Sequence, residues 1–450
     1  MRKEQKMRIL QVVHDFLPNA IGGTEIYTYT LSKELSKYHD VHLFFRDMEI
    51  DKDFKKGHFD GLTFLAVNPN KCFKSTIYFN LIKSKICFTE NNKKIDDIFK
   101  DLIKKFKPEI IHFQHLIGLS MNLVNIAYKY KIPMAFTAHD YWLLCPKAHF
   151  INNNNVLCIN DSNRRKCIKC FCNEELYELK KVEIFRPNTY TKLPKNLAKI
   201  ILNFVIRTYN NYYMFYFRPK MIHDIYKKID VFITPSQKLK NELIKNGIQA
   251  RKVFHIDSGV DNRFLANIQK TKSKEIRFAF IGSVSVHKGI EILIETFNDI
   301  KDASLDIYGF VSEENKKRYL KLIKNKHIHF MNSFKYNEIE NIFSKIDILI
   351  VPSICMENSP LTIREAFMSK TPVIASDIGG LSEMIQDGET GLIFKAGDSR
   401  DLFKKIKHFI DNPIEVERMS KKIKKVKTIE ENANEIETIY KNLILKNASK

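Results

Sequence analysis

Apolar residues in the first half of the chain fall into short runs separated by polar stretches. Met7–Val13 reads as a buried strand, a polar loop with Gly22-Gly23 follows, and Thr24–Lys37 repeats its apolar positions at helical spacing. Val41–Phe45 is the next strand, and this order of strand, glycine loop, helix and strand predicts a parallel α/β sheet. Ile110–Phe113 and Met134–Thr137 extend it, with the helical stretch Ser120–Tyr130 between them. From about Pro146 to Tyr226 the rhythm breaks: the segment holds Asn152–Asn155, several cysteines and a basic-aromatic stretch, Arg186–Lys228. It resumes at Val231–Thr234, passes through a helix ending at Asn246-Gly247, and reaches a strand at Val253–Asp257.

After a polar linker, Asn267–Lys274, a second series begins at Ile276–Ile281. Helices at Gly289–Asn298, Glu313–Asn325, Tyr336–Phe343 and Leu361–Met368 alternate with strands at Leu305–Tyr308, Ile328–Met331, Ile348–Val351 and Pro372–Ala375. The pattern predicts two Rossmann-like domains facing across a cleft, with ligands at the carboxyl ends of the strands. The expected boundaries are 1–266 for the N-terminal domain, with an insertion at about 145–228, and 275–428 for the C-terminal domain. A helical tail is expected at 429–450, and no repeat of fixed period occurs.

Composition adds a basic excess: 74 Lys and Arg against 52 Asp and Glu leave +22 over 450 residues. Such an excess points to an anionic partner, and the 44% apolar fraction excludes a mostly disordered chain. Every apolar run is too short to span a membrane or to serve as a secretion signal, which places the expected protein in the cytoplasm. Five of the eight cysteines lie between Cys145 and Cys172. Cys145, Cys158, Cys167 and Cys170, with Cys172 as an alternative, are candidate ligands of a structural zinc that would staple the insertion. Thiols in a loop, or a redox pair, are the plainer alternatives. Lys192–Lys228 interleaves basic residues with Tyr212, Tyr213, Phe215, Tyr216 and Phe217, which suits either an interfacial membrane segment or a helix pair covering the sheet. No nucleic-acid motif accompanies it. Asp51-Lys52-Asp53 reads as a solvated turn rather than a metal site.

The densest chemistry lies in Asp347–Phe394. A strand leads to Glu357, then to Pro360 and a helix whose first turn is Leu361–Arg364, with Glu365 eight positions after Glu357. Unsatisfied N–H groups at that helix start suit a diphosphate, Glu365 could take ribose hydroxyls, and Gly379-Gly380 would let the next loop approach the ligand. Ordinary surface acids are the alternative for the pair.

With these residues the sequence, over nearly the whole chain except the middle insertion, resembles the retaining glycosyltransferases of family 4, which have the GT-B architecture. The resemblance is carried by the spaced acids, PVIASDIGG, GETGLIF, IGSVSVHKGIEILIETF, IDVFITPSQ with SGVD, and GGTEIYTYTLSKEL. It implies that Glu357 contacts the donor sugar near its C3 hydroxyl and that Glu365 binds the ribose. It also implies that Lys288 binds the diphosphate; the family's arginine after Gly282 is Ser283 here, leaving His287 or Arg364 to help. Gly22 and Gly23 would reach the phosphates or the acceptor, Pro360, Leu361 and Thr362 would form the helix start under the phosphates, and His139 would lie beside the reacting carbon. For His139 the plainer reading is a strand-end histidine bonded to Asp140, and for Lys288 a solvated first-turn lysine.

The expected activity is metal-independent transfer of a sugar from a UDP- or GDP-sugar to a glycan acceptor. The acceptor is expected to be lipid-linked, in cell-surface polysaccharide or lipopolysaccharide assembly, and the protein peripheral on the inner face of the cell membrane. No cofactor is expected for catalysis. A phosphorylase or sucrose-type synthase on the same cleft is the alternative within the fold, and a nucleic-acid-binding protein the alternative outside it.

Overall fold

A computed structural model describes residues 6–72, 92–158 apart from 153, Cys167, Cys170, 216–265, 268–331 and 333–449. The first domain holds β1 (Arg8–Val12), β2 (Asp40–Arg46), β3 (Phe54–Phe59), β4 (Leu62–Val67), β5 (Ile110–Phe113), β6 (Met134–Thr137), β7 (Val231–Thr234) and β8 (Val253–His255). They form an eight-stranded sheet in the order β3-β4-β2-β1-β5-β6-β7-β8. All pairs are parallel except the β3–β4 hairpin, which the hydrophobic pattern does not reveal because β3, FKKGHF, is a largely exposed edge strand. The fully buried runs β5, β6 and β7 have the limits that the sequence predicts.

The second domain holds β9 (Ile276–Ile281), β10 (Ala303–Tyr308), β11 (Ile328–Phe330), β12 (Ile348–Val351), β13 (Val373–Ser376) and β14 (Gly391–Phe394). Its six strands are all parallel, in the order β11-β10-β9-β12-β13-β14. In each sheet the strand order reverses once, between β1 and β5 and between β9 and β12. Loops leaving the carboxyl ends of such neighbouring strands diverge and open a crevice.

The C-terminal helix Ile429–Ala448, capped by Thr428 and Glu431, is not a free tail. Ile429, Ala433, Ile436, Tyr440 and Leu443 pack with Ile9, Tyr27, Leu31 and Ile233 of the first domain. The Tyr440 hydroxyl accepts from Gln11 Nε2 (3.2 Å) and bonds His112 Nδ1 (2.6 Å), so the chain returns to the sheet where it began.

The basic-aromatic stretch up to Phe215 lies outside the described residues. Its end is a covering helix, Arg218–Lys228, which buries Met221 and Ile225 in the first domain's core and sets Arg218 over the Trp142 ring at 5.3 Å.

Candidate active site

The crevice of the second domain is built from the loops after β9 and β12. After β9, Gly282 (φ 153°) and Gly289 (φ 77°) adopt backbone that side chains disfavour, and a Cβ at Gly289 would overlap Pro352 O. That contact clamps the short turn Val286–Lys288 to the end of β12. Lys288 Nζ consequently reaches Glu357 Oε1 at 2.5 Å, and Ser353 Oγ donates to the same oxygen at 2.8 Å. Burial alone would raise the Glu357 carboxyl. The Lys288 charge and hydrogen bond, with the Ser353 hydroxyl, instead pull it down to about 2. Burial likewise works against the Lys288 ammonium, and Glu357 outweighs it and raises it. The two residues that the resemblance assigns to sugar and diphosphate therefore form one partly buried ion pair, with side-chain exposures of 25% and 12%.

Glu365 lies in the helix Leu361–Met368 and is 3% exposed. Burial raises its carboxyl to about 7, partly offset by a hydrogen bond from the Tyr336 hydroxyl. No side chain caps this helix at Pro360, so the first-turn N–H groups of Leu361 and Thr362 are left for a ligand. Ser283 is exposed. Arg364 turns aside: it donates to Asp257 Oδ1 at 2.6 Å and to Ser359 Oγ at 3.0 Å. There it lines a cavity of about 680 Å³ shared with His255, Glu383 and Lys427. His287 stays beside Lys288, its Nε2 at 3.3 Å from Ser285 Oγ, and burial lowers its ring to about 4.

Gly379 and Gly380 do make a close approach, to the backbone under Glu357 rather than to open ligand space. A Cβ at Gly379 would overlap Glu357 O, one at Gly380 would overlap Asn358 O, and Gly380 N–H donates to Glu357 O at 2.8 Å. The sequence-predicted glycine pair thus positions the acid.

Facing this crevice, the first domain offers the ends of β1, β5 and β6. His139 Nε2 donates to Gln114 Oε1 at 2.7 Å, and its ring meets Tyr27 edge-on at 5.1 Å. Burial holds the imidazole neutral, lowered to about 3. Asp140 pairs with His115 (3.4 Å) rather than with His139. Gly22 caps the helix Gly23–Ser36 without a side-chain bond, and a Cβ on it would lie 2.5 Å from Glu25 Oε2. Gly23 has open space around it. The domains meet through Asn358, whose Nδ2 donates to Ala138 O (3.1 Å) and His139 O (3.0 Å), and through Met356 N–H donating to His149 O (3.0 Å). Asn358, Tyr336 and His149 escape sequence reading because they act through contacts with distant segments, and Ser353 because a serine four positions before an acid is common. Only Asn358, beside Glu357, and Ser353, four positions before it, carry a neighbourhood signal.

Among the described residues, three metal-ligating side chains converge at His14, Asp15 and Glu25. His14 Nε2 is 3.0 Å from Glu25 Oε1, and Asp15 is engaged by Arg46. The half-buried Cys145, Cys158, Cys167 and Cys170 form no such group among the described residues, and Cys172 lies outside them. Cys145 N–H is bonded to Tyr141 O and Cys158 N–H to Phe150 O, so separate turns hold these two.

Comparison with known proteins bears on the family and the fold. The family described as Glycosyl transferases group 1 matches residues 261–426, and Glycosyltransferase Family 4 matches residues 21–164. An uncharacterized glycosyltransferase of Methanocaldococcus jannaschii is 30% identical over 190 residues, 41% of this chain and 50% of its own length. The chain thus spans about half the length of that curated relative. Sucrose-phosphate synthase from Thermosynechococcus elongatus shares the fold at TM-score 0.66 and 15% identity, over 98% of this chain and 100% of the other. HepE of Anabaena, solved with UDP and glucose, does so at TM-score 0.63 and 14% identity, over 97% and 99%.

Proposed function

The chain belongs to the glycosyltransferases of the group 1 and family 4 type with the GT-B fold, and on that premise we propose that it moves a sugar from a nucleoside-diphosphate donor to a hydroxyl of a glycan. The observation that carries this reading is the Lys288–Glu357 ion pair beside the uncapped helix start at Pro360, with Glu365 inside the same helix.

Cleaving a nucleoside-diphosphate sugar builds negative charge on the leaving phosphate and positive charge on the sugar carbon. Lys288 and the N–H groups of Leu361 and Thr362 meet the first. Before a donor enters, Lys288 is neutralised by Glu357. A diphosphate competes for the ammonium and frees the carboxylate to accept hydroxyls of the sugar. Glu365 accepts from the ribose once Tyr336 yields it, and the neutral His139 sits on the acceptor side, where it adds no positive charge against the sugar carbon. Gly23, open on its outer side, lets phosphate or acceptor approach the helix start closely. Retention of anomeric configuration is part of the proposal and rests on the family likeness alone. A UDP-sugar is the favoured donor over a GDP-sugar because HepE, which shares the fold, was solved with UDP.

The acceptor is proposed to be a lipid-linked glycan at the inner face of the cell membrane. The +22 charge supports this reading, and among the described residues no helix is long and apolar enough to cross a membrane.

Hydrolysis and transfer assays on a panel of UDP- and GDP-sugars test the activity. We expect turnover on one donor, and a loss of about 100-fold or more in Lys288→Ala and in Glu365→Ala. Near-wild-type turnover in both variants removes the site assignment; turnover only with inorganic phosphate or a disaccharide makes the protein a phosphorylase or a synthase. Co-sedimentation with vesicles containing anionic lipid, weakening as salt rises, is the expected sign of the membrane partner.

A further inference from the structure

His149 stands at the start of the insertion, in the first domain, yet its contacts are with the donor loops of the second. Its carbonyl accepts from Met356 N–H at 3.0 Å, one residue before Glu357. Its ring stacks on His287 with centroids 4.9 Å apart and planes 17° apart. His287 immediately precedes Lys288, and its own carbonyl accepts from Ile354 N–H at 3.0 Å, so the same two residues tie the turn after β9 to the loop after β12.

The backbone presenting His149 is unusual. Ala148 (φ 66°) and Phe150 (φ 50°), on either side of it, both occupy the left-handed region, which residues with a Cβ disfavour. Paired strain of this kind persists only where the surroundings enforce it. Here Tyr141 N–H donates to Ala148 O, Ala148 N–H donates to Cys145 O, Cys158 N–H donates to Phe150 O, and the Tyr141 and Phe150 rings meet edge-on at 5.4 Å. These bonds brace the loop as a finger that presents His149.

We propose that His149 is a positioning residue for the donor site: by crossing the cleft it seats the Glu357 loop and the His287–Lys288 turn in the arrangement that receives the sugar diphosphate. This deepens the proposed function and rests on it for the identity of the ligand. It gives the insertion a task in the reaction and makes the Lys288–Glu357 geometry depend on the two domains being closed. The finger is also sensitive to acid. His149 faces Asp140 and Glu357, which favour its protonation, and Lys288 and Lys147, which oppose it; His287 faces His149, Lys288 and Glu357. Burial keeps both rings neutral, and two stacked rings that gain protons repel.

The test uses the full chain as wild type, His149→Ala and His149→Phe. With the donor found by the panel, His149→Ala raises the donor KM about ten-fold while kcat changes about three-fold or less, and His149→Phe, which keeps a stacking ring, returns KM to within about three-fold of wild type. An unchanged KM in His149→Ala, or no recovery in His149→Phe, overturns the inference. Trp142, the single tryptophan, lies next to Tyr141 at the root of the finger and supplies a readout that needs no turnover. Its emission in the wild type should shift as pH falls from about 6.5 towards 4 while far-ultraviolet circular dichroism holds constant; the His115 ring 5.0 Å away contributes equally in both proteins, so the finger is read as the part of the shift that His149→Ala loses. If no donor is turned over by the wild type, the proposed function fails, and the emission profiles alone judge the finger: identical profiles in the wild type and His149→Ala reject it.

Discussion

Glu365 sets burial directly against ionisation. A carboxyl raised from its ordinary 4.5 to about 7 makes a stability contribution that is complete below pH 4.5 and lost as pH rises through 7. The wild type should therefore lose up to about 3 kcal/mol between pH 4.5 and 7.5 relative to Glu365→Gln, which has no proton to release. Urea denaturation of both proteins across that range checks it, and parallel pH dependences would remove the argument. Lys288 and Glu357 present the opposite case, two charges already matched. Lys288→Ala strands a partly buried carboxylate that keeps only the Ser353 hydroxyl and should cost about 2 kcal/mol, whereas Lys288→Met combined with Glu357→Gln should cost less than Lys288→Ala alone and still be inactive. Equal losses in the single and double variants would show that the pair is not coupled.

Among the elements, the glycine pair after β13 and the glycines before the helix Gly23–Ser36 make contrasting predictions. Gly379→Ala and Gly380→Ala drive a methyl into the Glu357 and Asn358 carbonyls. Each should lower stability by about 2 kcal/mol or more and reduce donor binding, because the loop carrying Glu357 must move. Gly23→Ala meets nothing and should melt within a degree or two of wild type, so any loss of turnover there reports a ligand's approach. Thermal melts with transfer assays separate the two classes. The pattern locates β5, β6, β7, β9, β12 and the helix Leu361–Met368 to the residue, because strands of a parallel sheet are short, mostly apolar runs with polar ends and Pro360 marks the start of the helix. The β3–β4 hairpin escapes it, since an exposed edge strand built on Lys55, Lys56 and His58 has no apolar run to read. The cysteine spacing in the insertion names possible zinc ligands, but whether thiols converge depends on the path of the loops between them.

For the whole molecule, the returning helix Ile429–Ala448 ties the end of the chain to the first domain's core, and the expected consequence is that the two domains unfold together. A chain ending at Lys427 would expose Ile9, Tyr27 and Leu31 and leave Gln11 and His112 without Tyr440. It should lose cooperative unfolding and become sensitive to limited proteolysis, while Tyr440→Phe, which removes only the hydroxyl, should cost about 1 kcal/mol. A truncated chain that unfolds like the full one would show that the helix is dispensable.

The sequence by itself determines the two parallel α/β halves, because alternating buried strands and glycine-bounded turns are local patterns, and its resemblance to family 4 is what names Lys288, Glu357, Glu365 and His139 as candidates. Tertiary structure decides what those residues do before a donor arrives. It joins Lys288 to Glu357, turns Arg364 to Asp257, bonds His139 to Gln114 rather than Asp140, and brings His149 across the cleft to His287. These are partnerships between segments 25 to 220 positions apart, such as His139 with Gln114 and Asn358 with Ala138. Their energies depend on burial and on distances of a few ångströms, which exist only once the sheets have formed and the crevices face each other.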